Sequence, residues 1–259
     1  MKILITGSNG YIGKALQNHY VEHSLTLLHR GVCDLTDELQ VDNFFTGKYD
    51  VIIHCAAAGG SRLKGDTPKV LNDNLKMFLN LHKHKDKFDK FIHFGSGAQY
   101  HAQDTYYGLS KKLISDIISA EDNFFNLIIY GLFDENEIPT RFIKSCVNNC
   151  MNNKNIIVHK NKQMDFFHME DLLLLVDKYI SEETSESELE CVYYQIFDLC
   201  KIADIVLREF KGSTSEIVVR EEGLDRPYCR KGNKYLPGNL ELKILETIGK
   251  IKVANNFSD

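Results

Sequence analysis

Short apolar runs punctuate the first half of the chain at a steady beat: KILIT (2–6), SLTLLH (24–29), DVIIHCA (50–56), KFIHF (90–94) and NLIIYG (126–131). Each is β-branched or aromatic and apolar at consecutive positions, the pattern of a strand buried on both faces. Amphipathic stretches at about 11–20, 36–46, 68–84 and 106–120 separate them. Thr36 ahead of DEL suits a capped helix start, and Pro68 suits a first helical turn. Strand and helix in alternation predict an α/β fold, a parallel sheet with helices on both faces.

Beyond Gly131 the rhythm loosens. IPTRFIKSCVNNC (138–150) and EDLLLLVDKYI (170–180) are predicted helices, and NIIVH (155–159) and VYYQIFDL (192–199) predicted strands. SEETSESELE (181–190) is expected to be an acidic, solvated connector. The second half is expected to add a small lobe and to return strands to the main sheet.

Composition narrows the function classes. A formal charge of −5 gives no reason to expect a nucleic-acid partner, and the basic stretch HKHKDKFDK (82–90) alternates with acids, as a solvated helix end does. No apolar run reaches the roughly eighteen residues of a membrane helix, so no membrane partner is expected. The chain opens directly on the strand-like KILITG, so no leader is expected. Its 7 cysteines form no CxxC pair, and Cys146 and Cys150, at helical spacing, lack the further ligands a metal needs. A cytoplasmic protein with reduced thiols and no metal is the expectation.

The turn LITGSNGYIG (4–13) joins the first strand to the first helix, with Gly7, Gly10 and Gly13 at i, i+3 and i+6. Glycines permit a tight turn and close backbone approach to a pyrophosphate, and the helix start offers free N–H groups and a positive dipole end. After an apolar strand and before an amphipathic helix, the pattern points to dinucleotide binding.

Thr-Gly-x-x-Gly-x-x-Gly resembles the extended short-chain dehydrogenase/reductases, the group of nucleotide-sugar epimerases, dehydratases and reductases. DVIIHCAA (50–57), NLKMFLNL (74–81), PTRFI (139–143) and MDFFHMEDL (164–172), with Asp171, resemble later motifs of that family. The resemblance implies a Rossmann doubly wound parallel sheet over 1–133. It also implies a small C-terminal substrate-binding lobe over 134–259, with about 155–200 returning to the sheet, and a possible homodimer through helices near 68–84 and 106–120. It further implies cofactor contacts from Gly7, Ser8, Asn9, Gly10, Tyr11, Ile12, Gly13, Asp34, Leu35, Ala56, Ala57, Ala58, Asn74, Tyr107 and Lys111, the last to the nicotinamide ribose. The second strand ends in His29 and Arg30, where an NAD site places an acid for the ribose 2′-OH. A guanidinium pairs with a 2′-phosphate, so NADP(H) is preferred through Arg30, with NAD(H) possible.

YGLSK (107–111) matches the family's Tyr-x-x-x-Lys, which places Tyr107 and Lys111 on one helix face. A phenol is a poor acid–base group near neutrality, and an ammonium beside it favours the phenolate. Ser96 in FIHFGSGAQY matches the third member, four residues before Tyr100, and would orient the substrate oxygen. Only eleven residues separate Ser96 from Tyr107, fewer than in most extended members. Gly97 and Ala98 stand where dehydratases carry Asp-Glu and epimerase-reductases a Cys, which disfavours both reactions. The implied reaction is reduction by NADPH of the 4-keto group of a nucleotide-linked 4-keto-6-deoxy sugar. An NAD-dependent 4-epimerase is the alternative, and a non-catalytic NAD(P)-sensing protein a further one. Arg141, His168 and Arg226 are candidates for substrate contact, with Arg230 in the same basic cluster as Arg226.

Overall fold

The computed structural model describes residues 1–61 and 64–256. In chain order its first elements are β1 (Lys2–Thr6), α1 (Tyr11–His19), β2 (Ser24–Leu28), α2 (Glu38–Phe44), β3 (Tyr49–His54), α3 (Pro68–His82), β4 (Phe88–Ser96), α4 (Ala98–His101), α5 (Tyr106–Ile118) and β5 (Phe124–Ile129). There follow β6 (Leu132–Phe133), α6 (Phe142–Met151), β7 (Ile156–Asn161), β8 (Gln163–Met164), β9 (Phe167–His168), α7 (Met169–Ile180) and β10 (Glu188–Glu190). The last are β11 (Phe197–Asp198), α8 (Leu199–Arg208), β12 (Ile217–Leu224) and α9 (Leu240–Ala254).

Two compact units share these elements: Met1–Ile129 with Leu173–Glu190, and Tyr130–Leu172 with Cys191–Asp259. The first holds a six-stranded sheet in the order β10-β5-β4-β3-β1-β2, parallel throughout. Its core is apolar and aromatic, with Leu4, Ile52, Phe78, Phe91 and Phe124 fully buried. Phe91 and Phe124 stack across β4 and β5 with ring centroids 4.7 Å apart. This is the α/β, Rossmann-type arrangement that strand–helix alternation predicts.

Several local expectations are corrected. β2 is an edge strand with only Leu28 buried, because among the described residues no strand pairs with its outer flank. The cap of α2 is Asp37, which accepts from Gln40 N at 3.1 Å, while Thr36 donates to Asp34. The acidic stretch 181–190 ends in a strand, β10, that pairs with β5. The Glu188 carboxylate compensates its partial burial by accepting from Gln99, Tyr100, Ser115 and Asn126.

In the second unit β7 pairs with β12 in a two-stranded sheet, so of the span 155–200 it is β10 that joins the main sheet. The predicted strand 192–199 is reduced to Phe197–Asp198, because the Asp198 side chain accepts from Lys201 N at 2.7 Å and starts α8 there. Tyr193, ahead of it, is buried and donates to Asp171.

Candidate active site

The glycine turn after β1 is held by contacts that tolerate no side chain. Gly7 has φ +62°, and a Cβ there would lie 2.6 Å from Ala56 N. At Gly13 a Cβ would lie 2.5 Å from Gly7 O. Gly10 N donates to Gly7 O at 2.9 Å, and Ser8 N to Leu28 O at 3.2 Å, which ties the turn to β2. Buried Thr6 accepts from Ala56 N at 3.3 Å and pairs with His54 Nδ1 at 2.7 Å, which ties it to β3. Among the described residues no side-chain hydrogen bond from the cap residue, Gly10, closes the start of α1, the kind of helix start that can meet an anion.

Beside this turn opens a cleft of about 580 Å³ within the first unit. Gly7, Asn9 and Gly10 line one side, Arg30, Asp34 and Leu35 another, and Ala56, Ala57 and Ala58 the floor, all positions expected from the sequence. Leu28, His29, Gly31, Cys33, Cys55 and Met77 also line it. They were missed because apolar strand ends and helix faces look like ordinary core until the topology brings them to one edge. Ser8 and Gly13 are instead buried supports of the turn. Tyr11 and Ile12, half-buried in the first turn of α1, are not among the lining residues.

Asn74 does not present its amide to the cleft. Its Oδ1 accepts from Ala58 N at 2.7 Å, and its Nδ2 donates to Ala58 O at 3.0 Å and Ser110 Oγ at 2.9 Å. It therefore pins the alanine floor to α5 and acts on the cleft through Ala58. On the rim, the Arg30 side chain is 72% exposed with Nε 3.8 Å from Asp34 Oδ2. Hydrogen bonds from Thr36, first its backbone N–H and then its hydroxyl, hold the Asp34 carboxyl below its usual range. The rim thus offers an accessible guanidinium next to a fixed carboxylate. The close-approach glycines, uncapped helix start and apolar floor fit a dinucleotide.

Tyr107 lies in the first turn of α5. Its register is set by Thr105, which accepts from Gly108 N at 3.0 Å and donates to Ala102 O at 2.7 Å. Gly108 is needed there, since a Cβ would lie 1.9 Å from Ala102 O. Gly60, with φ +71°, lies flat on the phenol: a Cβ would come within 2.9 Å of Tyr107 Cζ. A Ser/Thr cap ahead of the tyrosines and the GG pair after the alanines are the sequence signals for these supports.

Lys111 is 4% exposed. Its Nζ lies 5.8 Å from the centre of the Tyr107 ring and donates to Phe94 O at 2.7 Å and His93 Nε2 at 3.3 Å. Burial lowers its pKa to about 8. Ser96, two residues beyond Phe94, closes β4, is 9% exposed, and accepts from Ala98 N at 3.2 Å. The short link from Ser96 to Tyr107 is filled by α4.

The model of the NAD dependent epimerase/dehydratase family matches residues 3–189. The chain belongs to that family. It is 20% identical over 217 residues to the CDP-abequose synthase of Yersinia pseudotuberculosis, covering 73% of this chain and 77% of that one. The solved GDP-mannoheptose C4 reductase from Campylobacter jejuni with NADP bound superposes with a TM-score of 0.79 at 15% identity, covering 97% of this chain and 98% of that one. The Bordetella bronchiseptica enzyme WbmG, solved with NAD and UDP, gives 0.81 at 16% identity, with 98% and 95% covered.

The remaining candidates of this epimerase/dehydratase family member lie in the second unit. Arg141 is exposed at the start of α6. Arg226 is exposed, and its backbone N–H donates to Asp225 Oδ1. His168 is 1% exposed against the edge of Phe133 and accepts from Glu170 N at 3.3 Å on Nδ1. Burial keeps it neutral by lowering its pKa. Arg230 is committed to Asp165 through Nη2–Oδ1 at 2.6 Å and Nε–Oδ2 at 3.3 Å, both side chains being buried, so it is an internal ion pair. Cys146 and Cys150 are buried, and no group of potential metal ligands occurs among the described residues.

Proposed function

We propose that this chain reduces the 4-keto group of a nucleotide-linked 4-keto-6-deoxy sugar, with NADP(H) as its cofactor. The observation that carries the reading is the buried Lys111 amine 5.8 Å from the Tyr107 ring, on a helix pinned through Asn74 to the floor of a glycine-lined cleft. Gly7, Asn9, Gly10 and the alanine floor would hold the dinucleotide, with Arg30 on its 2′-phosphate. Bound NADPH supplies the hydride that reduces the carbonyl carbon. The Ser96 hydroxyl orients the carbonyl oxygen, and Tyr107 gives that oxygen its proton. The Lys111 ammonium stabilises the phenolate left on Tyr107. A hydride and a proton together convert the ketone to an alcohol. A C4 reductase solved with NADP shares this fold, as do an enzyme solved with NAD and a nucleotide-sugar 4-epimerase, so the choice among them rests on the residues of this chain.

One observation favours a second reading. Asp34 stands ionised on the same rim as Arg30, where a carboxylate could accept from ribose hydroxyls of NAD. An NAD-dependent nucleotide-sugar 4-epimerase would use the same Tyr107 and Lys111. Incubation of the protein with NADPH and a panel of dTDP-, GDP-, UDP- and CDP-linked 4-keto-6-deoxy sugars tests the choice. Loss of reduced-nicotinamide absorbance is the expected result. No turnover, with NAD copurified and a 4-hydroxy sugar nucleotide epimerised, contradicts it.

A further inference from the structure

Strand β4 places a histidine where an apolar residue would pack. His93 is 1% exposed, and its ring meets Phe78 of α3 at 6.1 Å. Nδ1 has no hydrogen-bond partner among the described residues. Nε2 lies 3.3 Å from Lys111 Nζ, whose other acceptor is Phe94 O at 2.7 Å. An ammonium only donates. Nε2 must therefore accept, which leaves the imidazole neutral with its proton on Nδ1. A buried polar atom left without a partner is rare and unfavourable, so the contact on the other nitrogen is what justifies a histidine here.

We propose that His93 is a positioning residue for Lys111: its neutral imidazole accepts from the ammonium and holds that charge at the end of β4, beside Tyr107. The inference rests on the assignment of Tyr107 and Lys111 to the reaction. The groups around the pair favour one protonation pattern. From β3, His54 stacks on His93 at 5.4 Å, and burial, with the Lys111 charge adding to it, lowers its pKa to about 3. Cys55, the residue after β3, is held as a thiol by burial, with the Lys111 charge acting the other way. His93 itself is kept well below the usual histidine range by burial, then by Lys111 and His54. α3 offers the apolar Phe78, and α5 offers Tyr107. Two of the three ammonium N–H groups are used on β4, which leaves one for the Tyr107 side.

Without His93 the ammonium keeps only the Phe94 carbonyl and gives up its proton at lower pH. The test is an NMR titration of ¹³Cε-lysine in the protein without substrate, with the Lys111 signal assigned by its loss in Lys111→Met. The wild-type midpoint is expected near 8. His93→Phe should lower it by about one unit, a tenfold easier proton loss, and His93→Gln, whose amide oxygen can accept, should restore most of it. In the wild type, ¹⁵N-histidine shifts should show the Nδ1–H tautomer, a readout that stands even if His93→Phe fails to fold. An unchanged or raised midpoint in His93→Phe, or an Nε2–H tautomer in the wild type, overturns the proposal. No substrate enters the experiment, so a protein that titrates as stated yet reduces no keto sugar counts against the reductase reading alone.

Discussion

Lys111 shows the conflict between stability and chemistry at the scale of one residue. Burial brings its pKa from 10.5 to about 8, so at neutral pH the folded protein carries a charge that the unfolded chain would hold more cheaply in water. The sign follows from proton counts. Between pH 8 and 10.5 the unfolded chain binds more protons than the folded one, so the penalty is full below that window and fades as pH rises through it. Lys111→Met should therefore stabilise the fold at pH 7 by about 2 kcal/mol, after allowance for the lost hydrogen bonds. The gain should shrink toward pH 10.5, as denaturant melts at several pH values would show. Activity should be lost in the same variant. Arg30 carries a separate prediction. Its exposed guanidinium is read as the contact to the 2′-phosphate, so Arg30→Ala should weaken NADPH binding about 10–100-fold and leave NADH binding near its starting value in a fluorescence titration. Equal losses for both would return Arg30 to the role of Asp34's neighbour. The glycine turn was legible from residue type and spacing, while the Tyr-x-x-x-Lys pair and Ser96 were picked out by their resemblance to the family's motifs. His93 was not, because a histidine inside an apolar run looks like core until the fold shows which side chain meets it.

Among the elements, strands and helices of the first unit follow from apolar runs and amphipathic spacing, with Pro68 at the first turn of α3 as expected. Errors fall where a short segment obeys a side chain rather than its own pattern. Asp198 ends the strand at 197–198 by capping α8, and the apolar face of that helix, Leu199, Ile202, Ala203, Ile205 and Val206, was hidden by reading its start as a strand. β10 was hidden by its charge. Burial pushes the Glu188 carboxyl upward, but hydrogen bonds from Ser115, Tyr100, Asn126 and Gln99 outweigh it and hold the group below its usual range. A depressed carboxyl stabilises the fold above its unfolded pKa and loses that contribution as pH falls through the folded value. Glu188→Ala leaves four donors without their shared acceptor and should cost about 2 kcal/mol, seen as a lower denaturant midpoint. The deficit relative to wild type should narrow as pH falls below the unfolded carboxyl range, because folded Glu188, held lower, takes its proton only at still lower pH. A variant as stable as wild type would mean that β10 is held by backbone pairing with β5 alone.

Across the whole molecule, the strand–helix alternation led to the parallel sheet, the glycine turn to the cleft, and the resemblance of the glycine and later motifs to the family. The limits of the units were less visible. Leu173–Glu190 returns to the first unit although it lies far along the chain, since membership depends on pairing with β5 and on contacts such as Tyr20 OH to Asp177 at 2.7 Å. The candidates of the second unit, Arg141, His168 and Arg226, rested on charge and motif likeness alone. His168 is buried, and the neighbouring Arg230 is paired internally with Asp165. The central claim is that Tyr107, supported by Lys111, gives a proton to a ketone reduced at the expense of NADPH. Its most direct test is turnover of NADPH with the 4-keto-6-deoxy nucleotide-sugar panel by wild type and Tyr107→Phe, with NADPH affinity measured in parallel. Wild type should consume NADPH, and Tyr107→Phe should bind it equally well while turnover falls about 10²–10⁴-fold. Equal turnover by the two proteins would contradict the account.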